Sequence, residues 1–249
     1  METYLFYGIK RGGHHAVIQW IANNIGKKVN FHNDAKEQAF KQGTLRYKGK
    51  FKQIVYNNKT NEECLFYNLE NGHLQQYQET LKSPLIKNHV RTIIIIRDIF
   101  NIMASTKKST PSNQMHKAVT SRQRAWLEYV NEMQGNIQFT NKENTHFILF
   151  NSWFKSKDYR DNKAKEIGFV NKDKGIDRVT PFGGGSSFDG NNYQKDANSM
   201  NVLQRYKEYV NNPDYLSLFT PQIDKLNKEV FGFNLKDLKD ANNIINHNS

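Results

Sequence analysis

The fold is decided by residues 4–21, which read YLFYGIKRGGHHAVIQWI. The first six are apolar or aromatic apart from one glycine, which is typical of a buried strand. Apolar residues then recur at Val17, Ile21 and Ile25, which is the spacing of one helix face. Two cationic side chains and a pair of glycines lie between, so the stretch predicts a strand, a tight loop and a helix.

The loop in this stretch has the chemistry of an anion site. Glycines let backbone N–H groups approach an anion closely, and the first turn of a helix carries unsatisfied N–H donors at the positive end of its dipole. The loop departs from a Walker sequence, since His14 and His15 follow the glycines. A magnesium-dependent kinase or ATPase is therefore disfavoured, and a phosphate or sulfate group is the predicted ligand. The alternative is an ordinary glycine turn with incidental charges.

A second segment delivers positive charge to the same sheet. Residues 91–98 read RTIIIIRD, and four successive isoleucines are typical of a central parallel strand buried on both faces. Asp98 is predicted to cap the helix that follows, and Arg97 sits at the carboxyl end of the strand. Ligands of open α/β sheets collect outside the carboxyl ends of the strands. Both segments are therefore expected to bring cationic groups to one edge of one sheet.

These two segments together resemble the sulfotransferases that use 3′-phosphoadenosine 5′-phosphosulfate (PAPS). In that family a loop of the type Lys/Arg-Ser-Gly holds the 5′-phosphosulfate, and an Arg-Asp/Asn-Pro segment with a later Ser holds the 3′-phosphate. Arg11 stands at the first cationic position, with Gly12 where Ser is usual. Arg97 stands at the second, followed by Ser105, with Ile99 in place of Pro. The chain is most similar to a bacterial and viral branch with Arg-Ser-Gly-Asn/His-His-Ala in the loop.

The resemblance extends into the carboxyl-terminal half of the chain. Residues 147–154 and then 159–169 are similar to the family's later strand, loop and helix. The glycine-rich residues 183–190 resemble the loop that closes over the 3′-phosphate in relatives, and residues 230–233 resemble the end of the last helix. Residues 40–85 carry no match to the family.

The resemblance implies a fold and a set of site residues. The fold is α/β and three-layered, P-loop-like, with a mostly parallel central sheet flanked by helices, and residues 1–249 are expected to form one domain. The loop motif is expected on the strand next to the one that carries the second motif. The first set would cradle the 5′-phosphosulfate and the second set would take the 3′-phosphate. The first set is Arg11, Gly12, Gly13, His14 and His15, and the second is Arg97, Ser105, Gly184, Gly185, Ser186 and Ser187.

The implied reaction transfers a sulfuryl group from PAPS to a hydroxyl or amine of an acceptor, a glycan or a small molecule. Arg11 is expected to stabilise the charge that develops on the leaving phosphate oxygen. The acceptor must also lose a proton to a general base. His89 resembles the histidine of a Lys-Thr-His segment in cytosolic relatives, and His32 follows the second predicted strand, where other branches place their base. Trp153 is a candidate for stacking on adenine, and a structural or surface role is the competing interpretation for each of these three residues.

Composition sets further limits on function. The 249 residues carry 36 Lys and Arg against 24 Asp and Glu, a formal charge of +12 that attracts anions such as a phosphorylated nucleotide. Cys64 is the only cysteine, which excludes an intramolecular disulfide and a cysteine-based metal cluster, and no metal is expected. No N-terminal apolar stretch reaches the length of a signal peptide or a membrane span, which predicts a cytoplasmic location. Nucleic acid is disfavoured as a partner, since no helix-turn-helix or basic–aromatic repeat is present.

The sequence leaves two other functions open. One is a nucleotide-dependent phosphoryl-transfer enzyme on the same scaffold, which would need magnesium and ATP. The other is a non-catalytic basic module that binds a glycan or nucleic acid. A preference for adenosine 3′,5′-bisphosphate over AMP and ATP would distinguish the sulfotransferase from both.

The remaining pattern predicts alternating strands and helices. Residues 28–31 are predicted as a second strand, and residues 43–57 and 64–68 as a strand pair outside the main sheet. Residues 180–192 are predicted as a mobile lid. Helices are predicted over residues 73–81, 113–133, 200–210 and 221–231, the last with Thr220 as its N-cap and Pro221 at its first position.

Overall fold

A five-stranded sheet, with every neighbouring pair of strands parallel, forms the centre of the molecule. The computed structural model describes residues 1–43, 62–87, 89–169, 175–176 and 200–247. The order of the strands across the sheet is β2-β3-β1-β4-β5. They are β1 (Glu2–Gly8), β2 (Lys28–His32), β3 (Glu63–Glu70), β4 (Val90–Ile96) and β5 (Thr145–Leu149).

The two strands that carry the motifs are buried on both faces because apolar residues occupy successive positions. In β1, Leu5 and Tyr7 face one core, whereas Tyr4 and Phe6 face the other. The isoleucines of residues 93–96 divide between the two cores in the same alternating way. The prediction of a central parallel strand in this segment is confirmed, since β4 lies between β1 and β5.

Helices cover both faces of the sheet, which confirms the predicted three-layer α/β architecture. The α1 face carries one core of buried side chains, and the α4 face carries the other. On the α1 face lie α1 (His14–Ile25), α6 (Phe150–Lys155) and α7 (Lys157–Ile167). On the α4 face lie α2 (Glu37–Gln42), α3 (Tyr77–Leu81), α4 (Ile99–Ser109), α5 (Ser112–Gln134), α8 (Pro213–Leu216), α9 (Pro221–Phe231) and α10 (Leu235–His247).

The helices that follow β1 and β4 leave the sheet toward opposite faces. α1 contributes Val17 and Ile21 to the core of its face, and α4 contributes Phe100 and Met103 to the core of the other. Because β1 and β4 are neighbours, the chain switches faces between them at the edge where the strands end, the carboxyl edge. We call the region between the two exits the crevice. Such a switch point is where open α/β sheets bind ligands. The expectation that the two motifs lie on adjacent strands is confirmed.

Most of the predicted helices are confirmed. Residues 73–81 form a 3-10 turn (Leu74–Gln76) followed by α3, and α5 and α9 match the two longer predictions. Asp98 and Thr220 act as N-caps, since their side chains accept hydrogen bonds from backbone N–H groups of the first turn. None of the described helices combines the length and the apolar composition needed to cross a membrane.

The strand predicted over residues 64–68 belongs to the main sheet, which corrects the expectation of an excursion. It is β3, and it pairs with β1 on one side and β2 on the other. Its residues Phe66 and Leu69 are buried on opposite faces, as an interior parallel strand requires. The companion predicted over residues 43–57 lies, from residue 44 onward, outside the described residues.

The helix predicted over residues 200–210 is wrong. The structure has an irregular run there with a single 3-10 turn, Arg205–Glu208. The carbonyl of Val202 accepts a hydrogen bond from the guanidinium of Arg97, so it is turned toward a side chain instead of along a helix. The segment at residues 230–233 ends α9 but not the fold, because α10 follows it.

Gly13 and Gly26 flank α1 in the same left-handed conformation but in different surroundings. Their φ angles are 79° and 67°. A Cβ at Gly13 would lie 2.4 Å from the ring of Phe150, whereas a Cβ at Gly26 would meet nothing within 4 Å. The two positions therefore separate backbone strain from steric overlap.

Gly26→Ala is expected to lower the free energy of unfolding by about 1 kcal/mol, through backbone strain alone. Gly13→Ala should cost roughly 1–3 kcal/mol more, because the ring of Phe150 must also move. Urea denaturation of the two variants measures both values. Equal losses would contradict the close approach of the ring to the loop.

Candidate anion-binding site

The loop between β1 and α1 is a tight backbone turn over residues 9–13. The N–H of Gly12 donates to the carbonyl of Ile9 at 2.7 Å. The φ angle is positive at Arg11 (73°) and at Gly13 (79°) but not at the residue between them. Alternating conformations of this kind turn successive N–H groups toward one side, which forms a concavity suited to an anion.

α1 begins without a cap of its own. Its N-cap, Gly13, has no side chain to accept from the first-turn N–H groups, and the first turn carries no acidic residue. α4 is different, since Oδ1 of Asp98 accepts from the N–H of Asn101 at 2.8 Å. The positive end of the α1 dipole is therefore open to an external anion, whereas that of α4 already faces a carboxylate.

Arg97 lies beneath the loop and is almost completely buried, at 1% exposure. Its Nη1 donates to the carbonyl of Arg11 at 3.0 Å, and its Nη2 donates to the carbonyl of Val202. The guanidinium also lies 5.1 Å from the centroid of the Phe150 ring, in a cation–π contact. The two motifs found in the sequence are thus joined by a direct hydrogen bond.

Ser105 is buried in α4 beside an arginine that the sequence did not single out. Nη1 of Arg205 donates to Oγ of Ser105 at 3.2 Å, and the backbone N–H of Arg205 donates to Oδ1 of Asn101 at 2.7 Å. Nδ2 of Asn101 donates in turn to the carbonyl of Leu203 at 3.0 Å. Side chains of α4 therefore fix Arg205 next to the predicted 3′-phosphate residues.

His14 is a buried neutral side chain that supports the loop. Its Nδ1 donates to the carbonyl of Ile9 at 3.1 Å, which leaves Nε2 to accept from Nδ2 of Asn68 at 3.2 Å. Burial, together with the neighbouring side chains of His15 and Lys10, holds the pKa of His14 well below its usual value. At neutral pH the ring is therefore uncharged.

His15 and His32 lie on the β2 side of the loop. Nε2 of His15 is 2.9 Å from Oδ1 of Asn33, which also accepts from Nδ2 of Asn68 at 2.8 Å. His32 ends β2, next to Asn33, and stacks on Tyr67 with ring centroids 4.8 Å apart. Burial lowers the pKa of His32. Both histidines share the carboxyl edge with the loop, and the role of His32 as a base stays a prediction.

His14, His15 and Glu70 hold three potential metal-ligand atoms within 4.8 Å of one another. The amide of Asn68 already occupies the space between them, since its Nδ2 lies 3.2 Å and 3.4 Å from Nε2 of the two histidines. Nζ of Lys10 is 3.7 Å from Glu70. The ammonium of Lys10 beside Glu70 opposes a divalent cation, so we interpret the cluster as one wall of the candidate anion site.

Two residues predicted for the site lie away from the crevice. The carbonyl of His89 accepts from the N–H of Thr3 at 3.1 Å, at the edge where β4 and β1 begin. A strand of seven residues spans about 20 Å, so His89 cannot reach a group at the loop, and its prediction as the base is corrected. Trp153 is 1% exposed and packs on Trp20 with ring centroids 6.1 Å apart, so it is a core residue and not an adenine platform.

The glycine-rich part of the predicted site, Gly184, Gly185, Ser186 and Ser187, lies outside the described residues, as does the lid predicted over residues 180–192. Their participation stays a prediction.

Besides Arg205, two further charged residues at the crevice carry no signal in the sequence. Glu70 ends β3 opposite Gly8, and its Oε1 is 3.5 Å from Nε2 of His14. Arg122 of α5 is only 5% exposed, and its charge interacts with those of Arg11 and Glu70. No local motif marks either residue, because only the packing of β3 and α5 brings them to the loop.

The chain matches no known family model, and no curated protein matches its sequence. Among solved structures it is similar to a sulfotransferase from Alicyclobacillus acidocaldarius, at 11% identity and a TM-score of 0.43, covering 96% of this chain and 99% of that one. It is also similar to mouse sulfotransferase SULT7A1 complexed with PAP, at 12% identity and a TM-score of 0.41, covering 100% of this chain and 89% of that one. At such low values the likeness does not identify the reaction, which is inferred from the site itself.

Arg97→Ala is expected to lower the free energy of unfolding by about 2–4 kcal/mol, because two buried carbonyls lose a charged donor. Arg97→Lys should recover only part of this loss, since an ammonium cannot reproduce the fork of a guanidinium. Urea denaturation measures both. Arg124→Ala is the control, because that side chain is 59% exposed and its loss should change stability little. If Arg97→Ala loses no more stability than the control, the two hydrogen bonds of the Arg97 guanidinium do not hold the loop and residue 202 in place.

His14 couples stability to pH. In the unfolded chain it gains a proton near pH 6.5, whereas the folded protein resists protonation to much lower pH, so stability falls as the pH drops below about 6.5. The expected contribution is about 1.4 kcal/mol per pH unit in that range. His14→Asn, which keeps a donor for Ile9, should lose less stability than the parent on acidification, as measured by urea denaturation. An identical pH dependence would show that His14 carries a proton in the folded protein.

Proposed function

We propose that the protein transfers a sulfuryl group from PAPS to a hydroxyl or amine of an acceptor. The observation that carries the proposal is the hydrogen bond from Nη1 of Arg97 to the carbonyl of Arg11, at the carboxyl ends of two adjacent strands. PAPS bears a 5′-phosphosulfate and a 3′-phosphate on one ribose, so a protein that binds it needs two cationic sites side by side. The two motifs meet that requirement.

The 5′-phosphosulfate would be held by the loop at residues 9–13 and the first turn of α1. The uncapped start of the helix and the alternating backbone conformations support this assignment. PAPS, when bound, supplies the sulfuryl group. Arg11 and the helix dipole would stabilise the negative charge left on the 5′-phosphate when the sulfur–oxygen bond breaks.

The 3′-phosphate would be held by Arg97, Ser105 and Arg205. Oγ of Ser105 and Nη1 of Arg205 already lie 3.2 Å apart, and both residues are buried. Buried guanidinium and hydroxyl donors form charge-assisted hydrogen bonds with a phosphate. The residues 184–187 join this proposal on the strength of the sequence resemblance alone.

The proton of the acceptor would pass to a base at the same edge of the sheet. His32 is the proposed base, because burial lowers its pKa and keeps the ring neutral and able to accept a proton at neutral pH. Glu70, at the end of β3, is the carboxylate considered beside it, since its Oε1 lies 3.5 Å from Nε2 of His14. Its partners Lys10 and His14 make it the less available of the two.

Nucleotide binding tests this proposal without an acceptor. Isothermal titration in the absence of magnesium should show tighter binding of adenosine 3′,5′-bisphosphate than of AMP or ATP. Ser105→Ala should lower the affinity for the bisphosphate about tenfold and leave the affinity for AMP unchanged, because AMP lacks the 3′-phosphate. Ser109→Ala, one turn later in α4, is the matched control and should change neither affinity.

Three results would contradict the proposal. Equal affinities for the three nucleotides would show that PAPS is not the sulfuryl donor, because the site would then not recognise the 3′-phosphate. A requirement for magnesium and ATP would favour a phosphoryl-transfer enzyme. Binding of polyanions without any nucleotide response would favour a non-catalytic basic module.

A further inference from the structure

Arg122 is a buried charge with unused hydrogen-bond donors. The residue is 5% exposed, and its Nε and Nη1 have no hydrogen-bond partner among the described residues. A buried charge without a partner is strongly destabilising, and folded proteins seldom retain one without compensation. Buried polar groups of this kind call for a partner such as a bound ion.

The position of Trp126 shows where Arg122 lies. Trp126 is one helical turn later on the same face of α5, and its Nε1 donates to the carbonyl of Arg97, the residue that directly follows β4. Later in α5, Glu132 accepts hydrogen bonds from the backbone N–H groups of Phe139 and Thr140, shortly before β5 begins. The earlier turn that carries Arg122 therefore lies toward the carboxyl edge, where its charge interacts with those of Arg11 and Glu70.

No carboxylate among the described residues forms an ion pair with Arg122. Burial and the positive charge of Arg11 lower the pKa of Arg122 to about 10, with Glu70 acting in the opposite direction, so the guanidinium is still charged at neutral pH. Glu70 has closer partners of its own, Nζ of Lys10 at 3.7 Å and Nε2 of His14 at 3.5 Å. Neighbouring guanidinium groups of like charge are stabilised when an anion lies between them.

We propose that Arg122 is a direct ligand of a tetrahedral oxyanion, a sulfate or phosphate group, which it shares with the loop that carries Arg11. The loop and α1 approach the anion from one face of the sheet, and α5 brings Arg122 from the other. The planar guanidinium offers paired donors that match two oxygens of such a group. The inference rests on the proposed function only in taking the loop as an anion site, and in that reaction Arg122 contacts the phosphosulfate.

Inorganic sulfate, titrated at constant ionic strength, is the probe. Sulfate should raise the thermal unfolding temperature of the parent protein and of Arg124→Gln, a control two residues along the same helix with a 59% exposed side chain. Arg122→Gln should bind sulfate about tenfold more weakly or worse, because it loses charge-assisted hydrogen bonds. Without sulfate, Arg122→Gln should be at least as stable as the parent, because the unpaired buried charge is gone.

An unchanged sulfate affinity in Arg122→Gln overturns the proposal, and so does a parent protein that does not respond to sulfate. A lower unfolding temperature without sulfate, at unchanged affinity, would make Arg122 a purely structural residue. Should Arg122→Gln fail to fold, crystals of the parent protein soaked in selenate give the answer. An anomalous peak within hydrogen-bond distance of the Arg122 guanidinium supports the proposal, and peaks only at remote sites overturn it.

Adenosine 3′,5′-bisphosphate separates the two sources of the oxyanion. If Arg122 holds the nucleotide's 5′-phosphate, Arg122→Gln lowers the affinity for the bisphosphate as well as the affinity for sulfate. If it holds a separate group, the bisphosphate affinity is unchanged and sulfate still binds to the bisphosphate complex. A protein that binds sulfate through Arg122 but no bisphosphate keeps this inference and loses the PAPS proposal. A protein that binds the bisphosphate, but whose sulfate affinity is the same in Arg122→Gln, keeps the PAPS proposal and loses this inference.

Discussion

The buried guanidinium of Arg97 is the group on which the carboxyl edge of the sheet depends. It donates to main-chain carbonyls of the β1–α1 loop and of Val202, and it lies over the ring of Phe150 at the start of α6. Three segments that are remote in sequence therefore share one cation. Because the carbonyl oxygens that accept from Nη1 and Nη2 contribute no negative charge, the edge stays positive and retains its attraction for anions.

Features that local sequence patterns determine could be predicted. Continuous apolar runs identified β1 and β4, and the helical spacing of apolar residues identified α1 and α5. The cap at Asp98 followed from its place between a strand and a helical stripe. The meeting of Arg11 and Arg97 followed from the rule that ligands collect where parallel strands end.

Features that depend on tertiary contacts could not be predicted. The position of β3 between β2 and β1 is a matter of strand order, which a strand's own residues do not encode. Arg122 and Arg205 stand among other basic residues, and only packing turns them inward. His89 was a candidate base because its segment resembles a Lys-Thr-His segment of relatives. It lies just before β4, at the edge of the sheet opposite the loop, and only the tertiary structure shows this.

The contact between Gly13 and the ring of Phe150 limits how the loop can evolve. A side chain at position 13 would occupy the space of the ring, so a bulkier residue becomes acceptable only after the ring has been replaced by something smaller. A smaller residue at position 150, however, would remove the aromatic face that covers the guanidinium of Arg97. Either substitution alone would give a less stable protein, and only the two substitutions together could avoid that loss of stability. Selection can thus hold the loop sequence constant through its neighbour's shape, even if the ligand of the loop were to change.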